Sequence, residues 1–110
     1  MNQPIHKDLA NGRWSTFSLA EQMGNIGSEV SRARLQEQKD PGLFEKATDR
    51  TLELFDLTLS DKRWRGRLRE INRAREIFCD AISGGREYGT RLKDLQKYFD
   101  CFGIAARLHI

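Results

Sequence analysis

The stretch SLAEQMGNIGSEVSRA, residues 18–33, decides the fold. Ser18 stands three residues before Glu21, the spacing of a capping box: the serine oxygen accepts from an amide of the first turn, and the glutamate accepts from the serine's own amide. Behind that start signal Leu19, Met23, Ile26, Val30 and Ala33 follow at spacings of four, three, four and three. That rhythm lines one face of a helix, whereas a half-buried strand requires alternation. A first helix is expected from Leu19 to about Gln38.

The chain on its C-terminal side repeats the pattern. Asp40 can cap a second helix, and Pro41 at its first position sacrifices no hydrogen bond. Over Pro41 to Leu59, the residues Phe44, Ala47, Thr51, Leu54, Phe55 and Thr58 share a face that Leu52 and Leu59 widen, broad enough for two neighbours. Ser60 and Asp61 then end this helix and cap a third, whose apolar face is Trp64, Leu68, Ile71, Ala74, Phe78 and Ile82, up to the break at Gly84 and Gly85. Thr90 is the expected cap of a fourth helix carrying Leu92, Leu95, Phe99, Phe102 and Ala106. Four amphipathic helices on short links imply an all-α fold, an antiparallel four-helix bundle.

Residues 1–13 hold Pro4 and Gly12 without hydrophobic periodicity and read as a mobile arm; Trp14 and Phe17 open the single domain expected over 14–110. A chain of 110 residues accommodates one core, and 38% hydrophobic against 32% charged residues suits helices that each bury one stripe. No apolar run approaches the ~20 residues of a membrane span, and the N-terminus shows no apolar leader, so a cytoplasmic location without membrane contact is expected. Cys79 and Cys101 are expected to be reduced thiols.

Charge is concentrated in the third helix. Lys62, Arg63, Arg65, Arg67, Arg69, Arg73 and Arg75 lie within fourteen residues that contain one acid, Glu70, while the whole chain carries only +3. Lys62, Arg63, Arg65, Arg69 and Arg73 point away from the apolar face and form the candidate nucleic-acid-binding row. Guanidinium groups at helical spacing can pair backbone phosphates, giving affinity and salt dependence without base specificity. The opposing reading is a solvated face balanced by the acids Glu45, Asp49, Glu53 and Asp56 of the second helix. Arg67 and Arg75 fall about 40° either side of Ile71 on an ideal helix and need partners. Gln22, Asn25 and Glu29, at three and four residues along the first helix, are expected to meet them in an inter-helix polar network, either structural or around a small ligand.

Ala20, Gly24, Gly27 and Ser31 form a stripe of small residues at which another helix, a second protomer or a ligand could approach closely. Catalytic signatures are sparse: no Walker-type phosphate loop occurs, and His6 and His109 lie near the ends of the chain. No enzyme activity, metal or cofactor is expected. The alternative in that class is a metal-dependent nucleotide hydrolase using the acids of the second helix.

The segment Gly24-Asn25-Ile26-Gly27-Ser28-Glu29 followed by Arg32, with the helical layout, length and basic character, resembles the small four-helix-bundle proteins encoded within 23S ribosomal RNA intervening sequences. It likewise resembles the accessory variability determinant proteins of diversity-generating retroelements. The glutamate comes one residue later here than in that family's motif. The resemblance implies a non-catalytic, ring-like homo-oligomer presenting basic surfaces to nucleic acid and to a reverse transcriptase. The reading as a whole is a nucleic-acid-binding accessory protein; the alternative is a protein interaction module docking an acidic partner.

Overall fold

The computed structural model describes residues 12–107, of which Gly103 and residues 105–107 are described by backbone alone. Of the expected arm only Gly12 and Arg13 fall within this range; residues 1–11, among them His6, and His109 lie outside the described residues, as does the side chain of Ala106. All regular structure in the described residues is helical: α1 (Leu19–Gln36), α2 (Pro41–Leu59), α3 (Leu68–Ile82) and α4 (Leu92–Arg107). Short 3-10 segments at Trp14–Thr16 and Lys62–Arg67 complete it.

The starts of α1 and α2 follow from local chemistry. Ser18 Oγ accepts from the Glu21 amide at 3.1 Å while Glu21 Oε1 accepts from the Ser18 amide at 2.9 Å, closing the capping box. Asp40 Oδ1 caps α2 through the Leu43 amide, with Pro41 as the first residue. Gln36 ends α1 two residues early, because Gln38 takes a left-handed conformation with φ 66° that reverses the chain toward Asp40.

The other two starts differ from expectation. Asp61 caps a 3-10 segment, Lys62–Arg67, whose Trp64 (φ −102°, ψ 23°) departs from helical geometry, and the α-helix begins only at Leu68. The basic run is therefore split between two helical forms, and the three-and-four rhythm that assigns Leu68 to the core fails there: Leu68 is 38% exposed. Thr90 does not cap α4; the Arg91 carbonyl accepts from the amides of Asp94 and Leu95, and Asp94 reaches back to the Arg91 amide. At the end of α3, Gly84 and Gly85 adopt φ of 108° and 71°, which lets the Gly85 amide fold back onto the Asp80 carbonyl at 2.8 Å.

The core is built on three fully buried phenylalanines. Phe55 of α2 lies 6.2 Å from the ring of Phe78 on α3 and 5.9 Å from that of Phe99 on α4, centroid to centroid. Met23, Ile26, Val30 and Ala33 of α1 belong to the same core, as do Ile71 and Ala74 of α3 and Leu92 and Leu95 of α4, and Leu19 is half-buried against it. Packing is most extensive between α1 and α4 and between α1 and α2; α3 packs on α2 and α4. The stripe of small residues matters at Gly27, where a Cβ would stand 2.6 Å from Cβ of Phe99, so only glycine permits this approach of α1 to α4.

Candidate functional site

Two clusters of polar side chains stand out, one buried and one exposed. The buried one begins at Gln22, which is fully enclosed. Its Nε2 donates to the Trp14 carbonyl at 2.9 Å and to Asp61 Oδ2 at 3.1 Å, and its Oε1 accepts from Trp64 Nε1 at 2.9 Å. Trp14 Nε1 donates in turn to Thr58 Oγ1 at 2.9 Å. Arg63 closes the cluster: its guanidinium binds both oxygens of Asp61, donates to the Phe17 carbonyl at 2.6 Å and lies over the Trp64 ring, 4.4 Å from the centroid. The Gln22 amide thus joins α1 to the chain entering it and to the 3-10 segment ahead of α3, and the Trp14 indole extends the cluster to the end of α2.

Asp61 sits in this cluster with only 5% of its side chain exposed. The Arg63 hydrogen bond, opposed by burial and aided by the Gln22 amide and the Arg63 backbone N–H, holds its carboxyl at about 2, below the ordinary 3.8. A depressed carboxylate stabilises the fold fully above its unfolded value and loses that contribution as pH falls through the folded one. Stability measured by urea denaturation should therefore decline between pH 5 and pH 2, with roughly 2 kcal/mol or less of the loss arising from Asp61. The decline should be shallower in Asp61→Asn, and an identical pH profile would remove Asp61 from this role.

The expected inter-helix network does not form as drawn. Gln22 does reach the third segment, but through Asp61 and Trp64. Asn25 is exposed and donates to the Glu21 carbonyl of its own helix, and Glu29 pairs with Arg32 at 2.6 Å. Arg67 pairs with Glu70 at 2.9 Å, and Arg75 reaches Asp56 of α2 at 3.1 Å. The reason is topological: α1 packs on α4 and α2, while α3 packs on α2 and α4, leaving α1 and α3 no broad common interface. Arg67, moreover, belongs to the 3-10 segment, so the helical wheel that turns it inward does not apply.

The exposed cluster is the basic row. Arg63 differs from the others: Asp61 and the Phe17 carbonyl take its Nε and Nη2, its guanidinium lies over the Trp64 ring, and its side chain stays 42% exposed. Lys62, Arg65 and Arg69 are exposed and make no ion pair with another described residue. Arg73 is exposed, 3.9 Å from Glu76 and 5.8 Å from the Tyr88 ring centroid. Its neighbour Tyr88 is positioned by the turn after α3: Asp80 accepts from the amides of Glu87 and Tyr88 at 3.0 and 2.9 Å, which keeps its carboxyl below the usual range. The Tyr88 hydroxyl then donates to Glu76 Oε2 at 3.3 Å.

Beside this row, between α3 and α4, lies a cleft of about 310 Å³. Ala74, Ile77, Leu95 and Tyr98 form its apolar wall, with Glu70, Arg73 and Asp94 among the residues at its edge. Tyr98 packs edge-on to Phe99 and Phe102 and remains 38% exposed; burial, with the Glu70 charge, pushes its hydroxyl up and keeps it neutral. Sequence reasoning missed Tyr98, although its place three residues after Leu95, beside the Leu95 and Phe99 stripe, marks it as an aromatic at the border of the buried face.

The acids of α2 do not converge: no group of three His, Cys, Asp or Glu side chains among the described residues could hold a metal ion, and Asp56 is engaged by Arg75. Cys79 and Cys101 are free thiols. No helix of the described residues is long and apolar enough to cross a membrane. No protein-family model, curated protein or solved structure matches the chain.

Proposed function

We propose that this protein binds nucleic acid through the phosphates, using the exposed cations of the 3-10 segment and the start of α3, and that it does so without catalysis. The observation carrying this reading is that Lys62, Arg65 and Arg69 lie exposed within eight residues with no carboxylate paired to them among the described residues. An unneutralised cationic patch favours a polyanion, and guanidinium groups suit phosphate oxygens in particular. Arg73 extends the patch, its contact with Glu76 at 3.9 Å being long enough to yield to a phosphate.

The frame for this reading is an antiparallel four-helix bundle, supported by the pairing of Gly27 with Phe99 and of the later Arg34 with the earlier Gln96. A homo-oligomer serving as accessory to a nucleic-acid enzyme such as a reverse transcriptase is what the resemblance in residues 24–32 implies, and it belongs, with a cytoplasmic location, to the same proposal. Replacing Arg65, Arg69 and Arg73 together by glutamine should weaken binding to all sequences alike. It should also flatten the dependence of log K on log salt by ~2 to 3 units, at roughly 0.7 to 0.9 for each phosphate no longer neutralised. Anisotropy titrations of labelled RNA and DNA across salt concentrations measure this. An unchanged slope with the helical spectrum intact would reject the assignment, and wild-type protein that binds no nucleic acid at low salt would point to an acidic protein partner.

A further inference from the structure

We infer that the cleft between α3 and α4 receives an unpaired base, so that the nucleic acid bound by the cationic row is single-stranded. This rests on the phosphate-binding reading above and specifies its ligand. The cleft holds about 310 Å³, at the small end of the range for small-molecule sites, and suits one flat ring system better than a helix or peptide strand. Its wall is apolar, from Ala74, Ile77 and Leu95, with the partly exposed ring of Tyr98 as the aromatic partner that a base requires for stacking.

The polar groups at the cleft suit a base. Glu70, already paired with Arg67, and Asp94 stand there with Arg73, and carboxylate oxygens can accept hydrogen bonds from the exocyclic amino group of a base. Arg69 lies one helical turn before Arg73 along α3, so the cations available to backbone phosphates continue from the cleft toward the start of the helix. A base within a duplex has its faces covered by its neighbours and cannot enter, so the arrangement selects single strands. Next to the cleft, Asp80 ties the turn after α3 through the Glu87 and Tyr88 amides, and that turn sets Tyr88 beside Arg73.

The test compares three labelled probes of equal length on the full chain by anisotropy: a single-stranded DNA, the same strand with abasic sites throughout, and a duplex. The natural strand should bind about tenfold more tightly than the abasic strand, the scale of one stacked base, and more tightly than the duplex. Tyr98→Leu should reduce affinity for the natural strand to the abasic level, whereas Tyr98→Phe should retain the difference. Equal affinity for natural and abasic strands, or for strand and duplex, would overturn the base site and leave phosphate binding intact. Failure of every probe to bind at low salt would overturn both. The comparison of probes requires no variant and therefore stands even if Tyr98→Leu does not fold.

Discussion

Replacing Gln22 by leucine is expected to cost roughly 3 kcal/mol of stability and to lower the melting temperature by roughly 15 °C. Leucine fills similar space, so the loss arises from the partners left behind. The Trp14 carbonyl would lose its hydrogen bond at a buried site, and the Trp64 indole N–H and one oxygen of Asp61 would each lose one at half-buried sites, where an unsatisfied buried group costs about 1–3 kcal/mol. Because Gln22 ties α1 to the chain before it and to the 3-10 segment, the loosening should begin locally. The fluorescence of Trp14 and Trp64 should shift toward that of exposed indole before the far-ultraviolet circular dichroism of the helices falls. Gln22→Glu should be worse still, since it sets a second carboxylate against Asp61. A loss below 1 kcal/mol in urea denaturation of Gln22→Leu would show that the cluster contributes little.

Phe55→Ala should cost about 3–5 kcal/mol, the range for emptying a fully buried aromatic position. Phe55 is the ring shared by α2, α3 and α4, so its removal strips packing from Phe78 and Phe99 at once. The pinning of Phe99 against Gly27 restricts the collapse that would otherwise fill the space. For a domain whose total stability is typically 5–15 kcal/mol, the variant should be marginal at 37 °C. Leu43→Ala, at a side chain 47% exposed, should by contrast stay within about 0.5 kcal/mol of wild type. Comparable losses in the two variants would refute the central place given to Phe55.

The difference between these positions is only partly legible in the chain. Phe55 stands on the apolar face of its helix, and helical periodicity alone assigns it to the core. Gln22 is legible as a polar residue flanking an apolar stripe, but its partners are not: its spacing points to Arg67 or Arg75, and it meets Asp61 and Trp64 instead. The basic row behaves similarly. Its composition can be read at once, yet the partners of Arg63 cannot: Asp61 and the Phe17 carbonyl, the latter 46 residues away in the chain.

What the sequence determined by itself is what depends on neighbours within a few residues. The capping box at Ser18 and Glu21, the Asp40-Pro41 start, the buried stripes of α1 and α2 and the density of cations after Asp61 all rest on contacts one or two helical turns long. The tertiary structure alone decided which helices adjoin, that the residues after Asp61 wind as a 3-10 segment before Leu68, which cations are already engaged, and that a cleft opens beside Tyr98. Each of those depends on pairs distant in the chain. Their energies are of the same size as local preferences, so the global packing, and not the local pattern, selects among them.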